Sequence, residues 1–167
     1  MNKITRKRAK NKEIIIHKEY ADIELSNWYF SKIDIEDIDT ISKYSWSIST
    51  SLYARNRTLW MMHRFIMNCP NWMYIDHINN DKLDNRKSNL RVCTHQENDM
   101  NRRSRISSTS KYKWVYFYRA YKKWSVNITY KWKRIHIGYF KNEDEAGMAY
   151  DKKAKELFWE YAYLNIK

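Results

Sequence analysis

Two glycines in a chain of 167 residues leave almost no position that can turn at low steric cost, and eight tryptophans accompany that shortage. Glycine enters the left-handed backbone region freely, so tight hairpins and helix ends call for it. Average usage of about 7% would supply roughly twelve. Several tryptophans occupy the vacant places. Trp28 and Trp72 each follow an asparagine, where Asn-Gly would signal a hairpin, and Pro70-Asn71-Trp72 also asks for glycine in its last place. Trp132 lies in the tight YKWK connection, Trp159 follows the last helical pattern, and Trp60 is a weaker case. Trp46 and Trp124 suit strands.

The charge is as uneven as the turns. The formal net charge is +13, from 32 Lys and Arg against 19 Asp and Glu. Six basic residues and no acid fall in residues 1–12, and eleven basic residues against two acids fall in 95–135. The second block is interleaved with Tyr112, Tyr116, Tyr118, Tyr121 and Trp124, an alternation that suits a strand face, while positive charge suits phosphate. The expected partner is therefore a nucleic acid. No apolar run reaches the roughly 18 residues of a membrane span, and the first residues lack the apolar stretch of a signal peptide. Cys69 and Cys93 form neither a disulfide framework nor a four-cysteine zinc site. The expectation is an intracellular, cytoplasmic protein with no membrane partner and no small-molecule cofactor.

Along the chain, residues 1–12 read as a basic disordered arm and 13–56 as short strands with a helical turn near 36–43. LWMMHRFIMN, 59–68, is an apolar helix or strand ended by Pro70. Residues 73–77 and 90–94 are strands separated by a polar loop, and 95–103 begins a helix. The Ser-rich 104–110 stretch is the expected linker. Three further strands follow, and the apolar spacing of Ala146, Ala149, Tyr150, Ala154 and Leu157 makes 142–158 an amphipathic helix.

Asp76-His77, Asn89 and Asn98 are the sharpest chemical signal. A strand–loop–strand–helix unit this short can gather all three segments at one cleft. His77 suits a base near neutral pH, while Asp76 and the Asn98 amide carbonyl are hard oxygen donors suited to Mg²⁺ or Mn²⁺. The run DHINNDKLDNRKSNLRVCTHQEN resembles the ββα-metal motif of HNH endonucleases, in the version found in phage and intron-encoded homing enzymes, and MMHRFIM resembles the segment leading into it. The resemblance implies His77 as general base, Asp76 and Asn98 as ligands of one divalent cation, and Asn89 as the residue that ties the loop and orients His77. Asn98 stands where many members carry histidine, as in the H-N-N subgroup. The cysteine pairs of zinc-bearing relatives are missing, so no structural zinc is expected. Arg64 and Arg86 are candidates for a phosphate contact or a surface ion pair, and His63 for a structural residue.

The carboxyl half, KYKWVYFYRAYKKWSVNITYKWKRIHIGYF followed by EDEAGMAYDKKAKELFWEYAYLN, resembles the APETALA/ethylene-response-factor DNA-binding domain. That resemblance implies a sheet laid in the major groove of double-stranded DNA, with Lys113, Tyr116, Tyr118, Arg119, Trp124, Asn127, Thr129, Arg134 and His136 near contact positions. Arg102, Arg103, Lys123 and Lys133 add charge to the same surface. Trp114 stands where both resembling families have glycine. Several base-reading arginines of the plant domains are Lys113, Tyr116 and Thr129 here, so docking carries over and the plant target does not. The expected fold is α+β: a ββα-metal HNH nuclease unit (13–103, core about 73–103), then a three-stranded antiparallel sheet packed on one helix (111–165). The expected function is metal-dependent hydrolysis of double-stranded DNA by a monomer of the homing or mobile-element type. The alternative is a sequence-specific DNA-binding regulator whose nuclease half is inactive.

Overall fold

Strand alternation builds the first sheet. ADIE and FSKI bury Ala21, Ile23, Ser31 and Ile33 on one face and leave Asp22, Glu24, Phe30 and Lys32 on the other. The computed structural model describes residues 5–9, 12–101 and 109–166. It divides into two units, Met1–His95 and Gln96–Lys167.

In the first unit, β1 (Thr5–Ala9), β2 (Lys12–Ile16), β3 (Ala21–Glu24) and β4 (Phe30–Ile33) form an antiparallel meander. The basic arm expected to be disordered thus contributes a strand, Thr5 to Ala9 pairing with Ile16 to Lys12. Pairing there satisfies backbone groups that β2 would otherwise expose along an open edge, and local charge composition does not register that gain. A short helix α1 (Ile38–Ile41) follows, then a small sheet of β5 (Ser47–Ile48), β6 (Ala54–Asn56) and β7 (Trp60–Met61). The apolar 59–68 segment resolves into β7 and then α2 (Met62–Ile66). Ile14, Ile23, Leu25, Ile33, Ile41, Trp46 and Met62 form the core. Trp46 is 2% exposed and its indole N–H donates to the Ile41 carbonyl at 2.9 Å.

β8 (Tyr74–His77) and β9 (Leu90–Cys93) make an antiparallel pair around the long polar loop. That loop is held to the first sheet. The Lys32 amide donates to the Leu83 carbonyl, and the Asn85 amide to the Lys32 carbonyl, both at 2.8 Å. Residues 83–85 thereby run beside β4 as a short parallel bridge. Arg64, a candidate for a phosphate contact or an ion pair, is engaged with backbone carbonyls. Its guanidinium donates to the carbonyls of Pro70 (2.7 Å) and Met73 (2.8 Å), bracing the turn that leads into β8.

The division between units falls within α3 (His95–Met100), ahead of the expected linker, of which 104–108 lies outside the described residues. In the second unit β10 (Val115–Tyr118), β11 (Lys123–Tyr130) and β12 (Lys133–Phe140) form an antiparallel sheet in that order. α4 (Glu143–Phe158) packs on it through Ala146, Tyr150, Ala154 and Phe158 against Val115, Val126 and Ile128. Asn142 caps α4, its side-chain oxygen accepting from the Asp144 amide at 2.7 Å, and three acids in the first turn complement the helix dipole. No helix among the described residues is long and apolar enough to cross a membrane.

Gly147 is where α4 needs a missing side chain. A Cβ there would sit 2.9 to 3.1 Å from three ring atoms of Tyr112. Helix propensity alone would make Gly147→Ala stabilising by about 1 kcal/mol, whereas overpacking a tight contact costs about 1–3 kcal/mol. Gly147→Ala is expected to lower the unfolding midpoint, and in a Tyr112→Ala background the same change is expected to raise it; thermal or urea denaturation of the four variants checks the reversal.

Candidate active site

His77 closes β8, 5% exposed, and its orientation is set by a chain of directed hydrogen bonds. The Ser31 hydroxyl on β4 donates to the Leu83 carbonyl at 3.0 Å. Ser31 in turn accepts from the Asn85 amide nitrogen at 2.7 Å, so the Asn85 carbonyl oxygen is the end that faces His77, 3.3 Å from its Nε2. An amide oxygen only accepts, so Nε2 must be the protonated nitrogen and Nδ1 the basic one. Asn85 is fully buried, and it is the residue the sequence reading missed. A single Asn in a polar loop carries no local mark of burial.

Asn89, 6% exposed, ties the loop through both its side chain and its backbone. Its carbonyl side-chain oxygen accepts from the Asn79 amide at 3.0 Å, its side-chain nitrogen donates to the Asp84 carbonyl at 2.8 Å, and its backbone oxygen accepts from Ile78 at 2.9 Å. Asn89 therefore ties both ends of the loop, while the bond to His77 Nε2 comes from Asn85. Arg86 also stays within the loop, donating through Nε and an Nη atom to the Asp84 carboxylate, both at 2.7 Å.

Two rings pack beside His77. His63 on α2 meets His77 edge to face with centroids 5.1 Å apart, and Tyr53 lies 5.2 Å from His63 and 5.8 Å from His77. Burial, reinforced by the neighbouring His77 and Arg64, holds the His63 pKa down to about 3, so the ring is neutral. Burial also lowers the His77 pKa, partly offset by the Asn85 hydrogen bond and the charges of Asp76, Asp81 and Asp84. A neutral imidazole is the form that takes a proton.

Asp76 is 5% exposed and faces Arg91 across the β8–β9 pair, its Oδ2 accepting from Nε at 2.8 Å and Nη2 at 2.5 Å. Asp76, His77 and Asn89 are thus gathered in the first unit, whereas Asn98 lies on α3 in the second. Among the described residues no group of three or more His, Cys, Asp and Glu side chains is arranged as a metal cage. The Asp76 carboxylate is a hard oxygen donor of the kind Mg²⁺ takes, since that ion keeps most of its waters and needs only one or two protein oxygens.

These features coincide with a known family. An HNH endonuclease family model matches residues 53–100, which span α2, the β8–β9 pair and α3. An uncharacterized HNH endonuclease of Acanthamoeba polyphaga mimivirus is 34% identical over 146 residues, covering 81% of this chain and 74% of the viral one. The chain belongs to the HNH endonuclease family. It is a DNA endonuclease, and the family generally uses a divalent cation. No solved structure matches it.

In this HNH endonuclease the sheet of the second unit has a polar face away from α4, with Ser125 and Asn127 buried at its centre and Tyr118 and Tyr139 exposed around them. Alternation along β11 sends Trp124, Val126, Ile128 and Tyr130 toward α4 and Ser125, Asn127 and Thr129 to the other face. The outer face is organised: Asn127 donates to the Tyr116 hydroxyl at 2.7 Å, Arg134 donates to the same hydroxyl at 3.1 Å, and His136 Nδ1 lies 3.3 Å from the Asn127 oxygen. Tyr118, Tyr121 and Tyr139 extend it in mutual ring contact, with Arg119 exposed beside them and Lys123 opposite Tyr118. Three candidates for DNA contact lie elsewhere. Lys113 is 7% exposed and donates to the Met100 carbonyl at 2.6 Å, because the chain before β10 runs beside the end of α3. Trp124 packs on the helix side, edge-on to Phe117. Lys133 pairs opposite Tyr130 at the hairpin end, on the same helix side. Arg102 and Arg103 lie outside the described residues.

The two protonation states of His63 set a pH dependence. The ring binds a proton near pH 6.5 when unfolded and only near pH 3 when folded, so its contribution to stability is complete above pH 6.5 and is lost as pH falls toward 3. Unfolding free energy is expected to drop by on the order of 1 kcal/mol per pH unit across that window, and His63→Phe is expected to flatten the decline; urea titrations from pH 7 to 4 on both proteins check it.

Proposed function

We propose that this endonuclease hydrolyses a phosphodiester bond of double-stranded DNA with His77 as the general base, and that it belongs to the homing or mobile-element type. The observation that carries the reading is the buried His77 ring held through Nε2 by Asn85, with burial keeping the imidazole in its neutral form. In this reading the imidazole takes a proton from water, the water oxygen attacks phosphorus, and the P–O3′ bond breaks with O3′ taking a proton from solvent, leaving 5′-phosphate and 3′-hydroxyl ends. Asn89 keeps the loop from drifting, and Arg91 keeps the Asp76 carboxylate in place. Asp76 would serve as a ligand of a divalent cation, Mg²⁺ or Mn²⁺, which would supply electrostatic stabilisation of the phosphate and leaving oxygen.

The second unit grips the duplex in this proposal, as an APETALA/ethylene-response-factor type domain. Arg119, Lys123, Arg134 and the tyrosines of the outer face supply phosphate and groove contacts. The hydrogen-bonded set of Tyr116, Asn127, Arg134 and His136 supports base reading, since its donors and acceptors are ordered before DNA arrives.

Supercoiled plasmid carrying DNA of the source genome is expected to be nicked or linearised with Mg²⁺ and left intact with EDTA. His77→Ala is expected to lower the rate by about 10²–10⁴. Salt-sensitive binding without cleavage under either metal would instead favour the DNA-binding regulator with an inactive nuclease half. Arg134→Ala is expected to weaken duplex binding and to reduce the salt slope of log K by about 1, measured by fluorescence anisotropy at several salt concentrations.

A further inference from the structure

The eight tryptophans fall into two populations. Trp46 is buried and hydrogen-bonded, and Trp124 packs against the second core with its ring on Phe117. Trp28, Trp60, Trp114, Trp132 and Trp159 have φ of 63°, 67°, 59°, 66° and 51°. They are 87%, 74%, 44%, 90% and 81% exposed. In the left-handed region the Cβ of an L-residue crowds the carbonyl oxygen, so a bulky residue there is an outlier unless packing compensates. Four of the five are too exposed for packing to compensate, and among the described residues none of the five indoles makes a hydrogen bond or ring contact.

Each of the five sits at a different device for which glycine is the usual solution. Trp28 ends a 3-10 turn (Ser26–Trp28) before β4, and Trp60 opens β7 after a turn. Trp114 precedes β10 and its carbonyl accepts from the Asn127 amide at 3.1 Å. Lys131 and Trp132 form the two-residue β11–β12 connection with positive φ at both places, the pattern for which Asn-Gly is preferred. Trp159 caps α4 at φ 51° and ψ −124°, outside the ordinary wells of any L-residue and open to glycine. The two glycines the chain does carry, by contrast, have no positive φ. Trp72, grouped with these by sequence, separates from them: it lies in a turn closed by the Met73 amide on the Pro70 carbonyl at 3.1 Å, without a left-handed φ.

We propose that the protein made in its own cell carries glycine at positions 28, 60, 114, 132 and 159, specified by UGA codons which that cell reads as glycine. UGA is read as tryptophan in some translation systems, and that reading gives the chain as written here. A code difference acts on every UGA at once, which accounts for five unrelated turns sharing one residue type. Base stacking by exposed indoles would account for exposure, but it does not require a left-handed backbone at any of them.

The codons and the fold test this separately from the nuclease reading. The gene is expected to show UGA at 28, 60, 114, 132 and 159 and UGG at 46 and 124; UGG at the five overturns the proposal. A full-length chain with W28G, W60G, W114G, W132G and W159G is expected to unfold at a midpoint higher by on the order of 10 °C than the chain as written. W46G and W124G are expected to lower it. A five-glycine chain with an unchanged or lower midpoint, or one that keeps its midpoint and loses DNA binding, would mean that the indoles are native and functional.

Discussion

The structure of the first unit depends on one buried amide. Asn85 joins the first sheet to β8, donating from its side-chain nitrogen to Ser31 and presenting its oxygen to His77. The parallel bridge of residues 83–85 along β4 brings the loop to that place, and Asn89 and Arg86 keep it there. A buried polar chain is stabilising only when every member is satisfied, and then it specifies a single arrangement. Here the same satisfaction orients the buried His77 ring.

His63 and Tyr53 complete that arrangement from a different side. A ring packed edge-on restricts His77 about the axis that its hydrogen bond leaves free, and a neutral His63 adds no charge that would repel a proton from its neighbour. The salt bridges nearer the surface are lesser contributors. Lys87 with Glu36 and Asp37 is substantially exposed, and such pairs are worth about 0–1 kcal/mol.

The second unit rests on close approach between a helix and the segment before its sheet. Gly147 lets Tyr112 lie against α4, and the Tyr112 hydroxyl donates to Asp144 at 2.5 Å. With the helix seated, the other face of the sheet is left to its own polar network. Strained turns act against both units: a bulky residue in a left-handed well costs about 1–3 kcal/mol. Five of them would add up to about 5–15 kcal/mol, comparable with the whole stability of an ordinary domain.

Local pattern was enough for the order of elements, the Asp76-His77 strand end, the loop tied by Asn89, the capped helix after Asn142, and the turns where glycine is missing. These follow from alternation, helical spacing and turn chemistry, which act between near neighbours. Tertiary structure alone decided that Thr5–Ala9 becomes a strand, that Lys113 is buried and Trp124 faces the helix, that Trp72 has an ordinary backbone, and that His77 is held by Asn85. Those outcomes depend on partners far away in sequence, as Ser31 is from Asn85. A polar loop residue and a buried hydrogen-bond hub have the same composition until the sheet they meet is in place.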